Sequence, residues 1–304
     1  MLQEEILSRR AIVFGVHELS WNCVTSIASE AEPDMKQLRI SRWGVSGAIA
    51  AQKNALRHLI YQPTTDEIRS DFGAWNWQQI IEDYTSRRLT YSTDKVAAMA
   101  GVADALQKST NNVYYAGIWK HWLVEGLMWM YYGRDLKSSR HPMSIAPTWS
   151  WASVTGPVEF SQSGLGPDAQ GNTLVKVEDV NMGGTSSRQS GRVTVTGHVW
   201  KTRLVCVVEE QQKNKLLPRY RIALEDGSVL YPDEMLTLGE DIWQIAIARQ
   251  AYSSSRGIRV FSLALVVNKV ETGDEYRRVG FIIPPESLEA QKVKEYPPST
   301  IMIV

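Results

Sequence analysis

Three segments before residue 147 repeat apolar side chains at the spacing of an amphipathic helix. These segments are Val45–Tyr61, Trp75–Arg87 and Asp94–Leu106. In the second segment, the side chains that share one helical face are Trp77, Ile80, Ile81 and Tyr84. The pattern predicts three helices, separated by loops in the proline-containing stretches 31–43 and 62–72.

A fourth segment, Val113–Tyr132, is apolar almost all round and also fits helical spacing. Its length would span a bilayer, but Lys120, His121 and Glu125 near its middle are costly in hydrocarbon. We therefore predict a buried helix in a protein without a membrane span, packed against Trp149–Trp151. Pro142 and Pro147 end the helical pattern.

Strand patterns dominate the rest of the chain. Residues 11–23 predict a β-hairpin, and Asp226-Gly227 a hairpin turn. Further strands are predicted at Trp149–Phe160, Leu174–Val180, Val193–Val208, Arg219–Leu224, Ile242–Ala248, Ile258–Val270 and Tyr276–Ile283, with Gly/Ser-rich loops at 161–173 and 182–192. The fold class expected is α+β. A helical N-terminal half with a small hairpin (residues 1–147) precedes a mainly antiparallel β-rich half (148–304).

Charge and cysteine content narrow the function classes. The formal net charge is zero, so the chain has no net basic charge to attract a polyanion, and we expect no nucleic-acid partner. Two cysteines in apolar runs, Cys23 and Cys206, predict buried free thiols in a reducing compartment. The first ten residues are charged and lack the apolar core of a signal peptide, so we expect a cytoplasmic protein.

Standard catalytic motifs are missing from the sequence. Trp43–Gly47 departs from a nucleophile elbow, Gly164 and Gly166 lie outside any strand–helix context, and no Walker or zinc-helix motif occurs. We therefore expect no cofactor, nucleotide or metal. His121 and Glu125 stand four residues apart. They are open to interpretation as a structural hydrogen-bonded pair, a catalytic pair or a partial metal site.

Five blocks resemble motifs of the fungal heterokaryon-incompatibility (HET) family, in the family's order. They read LQEEILSRR…ELSWNC from residue 2, WQQIIEDYTSRRLTYSTDKVAAMAGVA from 77, YYAGIWKHWLVEGLMW from 114, APTWSWASVTGPVEF from 146 and EYRRVGFI from 275. The resemblance implies that residues 1–24 correspond to the last helix and hairpin of the family's N-terminal domain. The upstream signature Y-x-A-L-S-Y-x-W-G of that domain, to which cell killing is attributed, does not occur in this sequence.

The resemblance leaves three functions open. Some HET-like proteins belong to fungal biosynthetic clusters, and one in a terpenoid pathway is a Diels–Alder cyclase. The first expectation is therefore a cofactor-independent pericyclase acting on a hydrophobic small molecule. The second is a nonself-recognition regulator without enzymatic activity. The third is a decayed gene product without activity.

Tryptophan supplies the predicted site. Seven of eleven tryptophans lie between Trp75 and Trp151. We predict a mostly apolar substrate cavity where the helical half meets the β half. The residues predicted to bind substrate are Tyr115, Trp119, Trp122, Trp149 and Trp151, with His121 and Arg140 as catalytic donors. The alternative is that the same rings only fill the core.

Overall fold

The computed structural model describes residues 2–24, 26–31, 33–34, 36–37, 49–61, 73–87, 89, 91–133, 135–141, 144–161, 173–185, 188–210, 219–254, 257–270, 274–282 and 293–304. The predicted loop at 62–72 lies outside these residues, as do residues 162–172 of the loop predicted at 161–173. No helix in the described part of the chain is long and apolar enough to cross a membrane.

The chain begins with a short helix and a small antiparallel sheet. Helix α1 (Leu2–Leu7) precedes strands β1 (Arg10–Phe14), β2 (Leu19–Cys23), β3 (Ser26–Ser29) and β4 (Lys36–Gln37). The first two strands pair from Arg10 opposite Cys23 to Phe14 opposite Leu19. The hairpin predicted at 11–23 is confirmed, and β3 and β4 extend it to four strands.

Three longer helices confirm the helical pattern. They are α2 (Ile49–Tyr61), α3 (Ala74–Ser86) and α4 (Ala97–Thr110). Helix α3 buries the predicted face of Trp77, Ile80, Ile81 and Tyr84. Helix α4 begins later than predicted because Ser92–Lys95 forms a separate 3-10 turn. It ends at Asn111, whose left-handed backbone (φ 54°) stops the helix.

The single helix predicted at Val113–Tyr132 is wrong. The segment forms β5 (Tyr114–Tyr115), β6 (Ile118–Trp119), a 3-10 turn (Lys120–Trp122), the one-turn helix α5 (Leu123–Gly126) and β7 (Trp129–Tyr131). Ala116 and Gly117 reverse the chain with positive φ angles of 46° and 103°. Spacing alone could not show this, because tertiary contacts decide the backbone here.

Gly117 explains why the segment turns. Its carbonyl accepts the indole N–H groups of Trp77 at 3.0 Å and Trp151 at 2.9 Å. A Cβ at this position would lie 2.3 Å from Trp151 Nε1, so glycine permits both the turn and the close approach. The segment still packs against Trp149–Trp151, since Ser150 Oγ donates to the Ala116 carbonyl and Trp129 Nε1 to the Trp149 carbonyl.

The strand predicted at Trp149–Phe160 is also mostly wrong. Trp151–Ser153 forms a 3-10 turn, with the Ser150 hydroxyl accepting from the Ala152 amide, and only β8 (Val158–Phe160) is extended. Strand β8 pairs antiparallel with β7, so that Phe160 lies opposite Trp129 and Val158 opposite Tyr131. Because the two aromatic blocks join each other here, each takes a shape that neither sequence indicates alone.

The C-terminal half is a β-barrel-like sheet. Its strands are β9 (Lys176–Gly184), β10 (Gln189–Glu210), β11 (Arg219–Leu224), β12 (Val229–Pro232), β13 (Asp241–Ser254), β14 (Gly257–Lys269), β15 (Glu275–Ile282) and β16 (Pro298–Ile303). Pairing closes the ring β10-β11-β12-β15-β14-β13. All pairs are antiparallel except β15 with β16.

Most predicted strands of this half are confirmed within a few residues, and the Asp226-Gly227 turn joins β11 to β12. Two strands, β12 and β16, were not predicted. The loop predicted at 182–192 is a hairpin instead, because β9 and β10 pair from Gly184 opposite Gln189 onward. The α+β class with mostly antiparallel sheets is confirmed, although small sheets interrupt the helical half.

One buried core crosses the predicted boundary at residue 147. It runs from Leu2 in α1 through Trp119 and Trp149 to Ile303 in β16, and a second cluster fills the other side of the C-terminal sheet. The secondary structure therefore changes from mainly helical to mainly strand within one continuous apolar core. The division into domains at 1–147 and 148–304 stays a prediction.

A fully buried arginine of the C-terminal half forms an ion pair within that half and hydrogen bonds to the first half. Arg278 on β15 and Asp233 after β12 are both 0% exposed, with Nε and Oδ2 2.8 Å apart. The same guanidinium donates to the carbonyls of Leu127 and Trp129 in the first half. It also lies 3.5 Å from the centre of the Trp129 ring. Burial lowers the pKa of Arg278 to about 10, while Asp233 opposes that shift.

Removal of the Asp233 carboxylate should be strongly destabilising. Asp233→Ala leaves the Arg278 charge buried without its counter-ion, so we expect the free energy of unfolding to fall by about 3–5 kcal/mol. Chemical denaturation measures this change. Asp104→Ala is the matched control, because it breaks an exposed helical pair with Lys108 and should leave the free energy nearly unchanged. Equal effects of the two substitutions would contradict the role given to Asp233.

Candidate functional site

A groove lies where the one-turn helix α5 faces strand β9. Its volume is about 370 Å³, within the range of small-molecule sites. It is lined by Tyr115, Lys120, His121, Leu123, Val124, Glu125, Thr173, Val177, Glu178, Asp179 and Val180. This groove, called the junction groove below, lies between the first half and the C-terminal sheet, where the sequence predicts a cavity.

The junction groove is more polar than predicted. Lys120, Glu125, Glu178 and Asp179 place charges beside the apolar side chains of its wall. Lys176 pairs with Glu178 at 2.8 Å and, as the first cause, lowers the pKa of that exposed carboxyl. The expectation of a mostly apolar cavity is therefore wrong for this groove. The reason is that β9 presents its solvent-facing carboxylates toward α5.

Glu125 is the most chemically distinctive residue of the junction groove. Its side chain is half-buried, and burial raises the pKa of the carboxyl above its ordinary value. No ion pair to Glu125 occurs among the described residues. The Gln78 side chain donates to the Glu125 carbonyl at 3.0 Å and so holds the turn in place. A carboxyl in this environment keeps its proton to higher pH and can donate it in a hydrogen bond.

His121 lies in the same wall and is exposed. Its backbone amide donates to Asn112 Oδ1 at 3.3 Å, which anchors the 3-10 turn. Within the described part of the chain, no hydrogen bond or ion pair joins His121 to Glu125. The two residues therefore enter the groove as separate polar groups, and the predicted structural pairing between them is not observed.

Three predicted substrate-binding rings lie in the core. Trp119, Trp149 and Trp151 are 1%, 0% and 1% exposed, so a water-sized probe scarcely reaches them. Trp149 and Trp151 donate their indole N–H groups to the carbonyls of Gly191 and Gly117. Trp119 packs edge-on against Trp77 at 5.4 Å. These contacts support the alternative that the rings fill the core.

Trp122 and Tyr115 differ from those three. Trp122 is half-buried beside a void of about 10 Å³, which is at the lower limit for one water molecule. Trp119 also lines this void, and its buried Nε1 has no hydrogen-bond partner within the described part of the chain. Tyr115 lines the junction groove. Of the seven predicted site residues, two therefore line the junction groove, Tyr115 and His121.

Arg140 belongs to the network that joins the two halves. Its guanidinium pairs with Glu234 at 2.9 Å and Asp233 at 3.4 Å. It also donates to Ser153 Oγ and to the Arg278 carbonyl. Its guanidinium donors are used by these acceptors, and Arg140 does not line the junction groove. These contacts give Arg140 a structural role rather than the predicted role as a catalytic donor.

Several groove residues were not predicted. Glu125 carried a signal, its spacing of four from His121, whereas Glu178 and Asp179 read only as part of a strand. Their position opposite α5 depends on long-range packing. Among the described residues, no group of three or more His, Cys, Asp or Glu side chains could hold a metal ion.

The pKa of Glu125 should be visible in stability. Because the folded-state pKa is raised, the folded protein binds more protons than the unfolded chain over a pH window that begins near 4.5, the ordinary value, and ends above the raised pKa. Stability from this group is therefore lost as pH rises through that window. Glu125→Gln should gain in melting temperature relative to the native chain between pH 4 and pH 8. A difference independent of pH would contradict the assignment.

Comparison with known proteins identifies no relative of this chain. The chain matches no family model, no curated protein and no solved structure. The resemblance to the heterokaryon-incompatibility family therefore stays a prediction that rests on the sequence blocks alone.

Proposed function

We propose that the junction groove binds a small molecule and that the protein is a cofactor-independent cyclase of the Diels–Alder type in fungal terpenoid metabolism. The observation that carries this proposal is Glu125, a half-buried carboxyl with a raised pKa in a groove of about 370 Å³. The resemblance to HET-like proteins of biosynthetic clusters supports the reaction class.

A pericyclic reaction suits these groups. It forms its bonds in one step and requires neither a nucleophile nor a proton relay, so a site that holds diene and alkene in contact supplies much of the rate. A donor aimed at a carbonyl conjugated to the alkene strengthens as charge grows on that oxygen. In its protonated form, the Glu125 carboxyl is the donor in this proposal, and His121 is a second polar group of the same groove.

The wall also specifies the substrate class. Tyr115, Leu123 and Val177 offer apolar contact, and Lys120, Glu178 and Asp179 add charged groups to the same wall. A hydrophobic molecule with one carbonyl acceptor fits this mixed wall, because its carbon skeleton can contact the apolar side chains and its oxygen can accept from Glu125.

Removing the donor should cost rate without costing stability. With a linear polyene that carries an unsaturated ketone, we expect the protein to accelerate formation of the cyclised isomer, measured by liquid chromatography and mass spectrometry. Glu125→Leu should lower kcat about 100-fold, while Asp104→Ala, on the exposed face of α4, retains full activity. No acceleration across a panel of such polyenes, or an active Glu125→Leu, would contradict the proposal.

A second function is favoured by the β1–β2 hairpin. Its tip exposes Ile12, Val13, Phe14 and Val16 to 57%, 46%, 81% and 95%, an apolar surface typical of protein contacts. This surface fits a nonself-recognition regulator without enzymatic activity. In that case, growth inhibition in mixed fungal colonies should be lost with Phe14→Ser and Val16→Ser but kept with Glu125→Leu. The reverse pattern would favour the cyclase.

A further inference from the structure

A second polar cluster lies apart from the residues that line the junction groove. Ser92 opens the 3-10 turn before α4, and His141 follows Arg140. The Ser92 hydroxyl and His141 Nε2 are 3.0 Å apart, across 49 residues of chain. Ser92 is exposed, whereas His141 is only 5% exposed. The serine oxygen thus meets solvent on one side and an enclosed imidazole on the other.

The backbone around His141 fixes the position of this imidazole. The His141 amide donates to the Ser153 carbonyl at 3.1 Å, and the His141 carbonyl accepts from the Ser144 amide at 3.1 Å. These bonds hold the residue from both sides. The ring can therefore keep its distance to Ser92 while the serine reacts.

The surroundings of the imidazole also favour its neutral form. Burial, and then the positive charge of Lys95, lower the pKa of His141 below its ordinary value. Lys95 is itself 2% exposed and donates to the carbonyls of Trp151, Val154 and Gly156, with no carboxylate partner among the described residues. In the tautomer protonated at Nδ1, Nε2 then carries a free electron pair directed at the serine hydroxyl.

We propose that Ser92 is a nucleophile activated by His141, and that this pair accepts the acyl group of small carboxylic esters. An accessible hydroxyl within hydrogen-bond reach of a neutral, held base is the arrangement that makes serine reactive. Nothing in the cyclase proposal uses these residues, so the two sites stand or fall separately.

The reaction balances with water as the only co-reactant. Ser92 Oγ attacks the ester carbonyl carbon while His141 Nε2 takes the hydroxyl proton. The bond to the alcohol breaks, and His141 returns that proton to the departing oxygen. Water then attacks the acyl-serine, gives one proton through His141 to Ser92 Oγ, and releases the carboxylic acid.

The probe for this site is an alkyl fluorophosphonate, which forms an Oγ–P bond and loses fluoride as hydrogen fluoride. Trypsin cuts after Arg88 and Lys95, so mass spectrometry of peptide 89–95 should place the adduct on Ser92. Ser92→Ala should abolish the adduct. Thr93→Ala is the matched control, since it removes the adjacent hydroxyl and should leave the labelling unchanged.

The role of His141 is tested separately. His141→Gln should slow labelling about 100-fold, the usual contribution of a general base, while Asp104→Ala, at an exposed position on α4, labels at the native rate. In the native chain, the labelling rate should fall on acidification with a midpoint below 6.5, the ordinary imidazole value. No adduct on Ser92, or a rate indifferent both to His141→Gln and to pH, would overturn the proposal. The pH profile decides the outcome if His141→Gln fails to fold.

Discussion

The burial of the Arg278 charge is the constraint on which the rest of this structure depends. A guanidinium removed from water is tolerated only when its donors find acceptors. Asp233 supplies a carboxylate, and the carbonyls of Leu127 and Trp129 supply two more acceptors. The Leu127 and Trp129 carbonyls follow the one-turn helix α5, where segment 113–132 is broken into short elements. The Trp129 ring also covers the buried cation.

The same requirement shapes the candidate site. The turn that carries Glu125 is held on one side by Gln78, through the Glu125 carbonyl, and on the other by Arg278, through the Leu127 carbonyl. A short turn between two such contacts presents its side chain in a fixed direction, which is what a positioned donor requires. Arg140 adds a second set of ion pairs between the halves. It lies in the segment that precedes the Trp149–Trp151 block and contacts Asp233 and Glu234.

Local patterns predicted those parts of the fold whose stability is local. The faces of α3 and most strands of the closed sheet follow from periodicity, since each buries one face regularly. The hairpin at 11–23 follows instead from two apolar runs that flank a short connection. The segment 113–132 and the block from Trp149 to Phe160 could not be predicted, because their shapes come from each other and from Arg278. Of the predicted site, Tyr115 and His121 reach the junction groove. The high number of tryptophans suggested a ligand pocket. In the structure, most of their indole N–H groups donate to backbone carbonyls, so these rings belong to the core.

The central claim is that Arg278 makes the two halves one cooperative unit, so that neither half unfolds alone. Native-state hydrogen exchange measures this directly, through the amides of α4 (Ala97–Thr110) and of β13 from Asp241 to Ala248. As denaturant is added, the opening free energies of the most protected amides in both elements should merge into a single global value. If α4 opens at a distinctly lower free energy than β13, with no shared transition, the buried ion pair does not unite the fold and the account is contradicted.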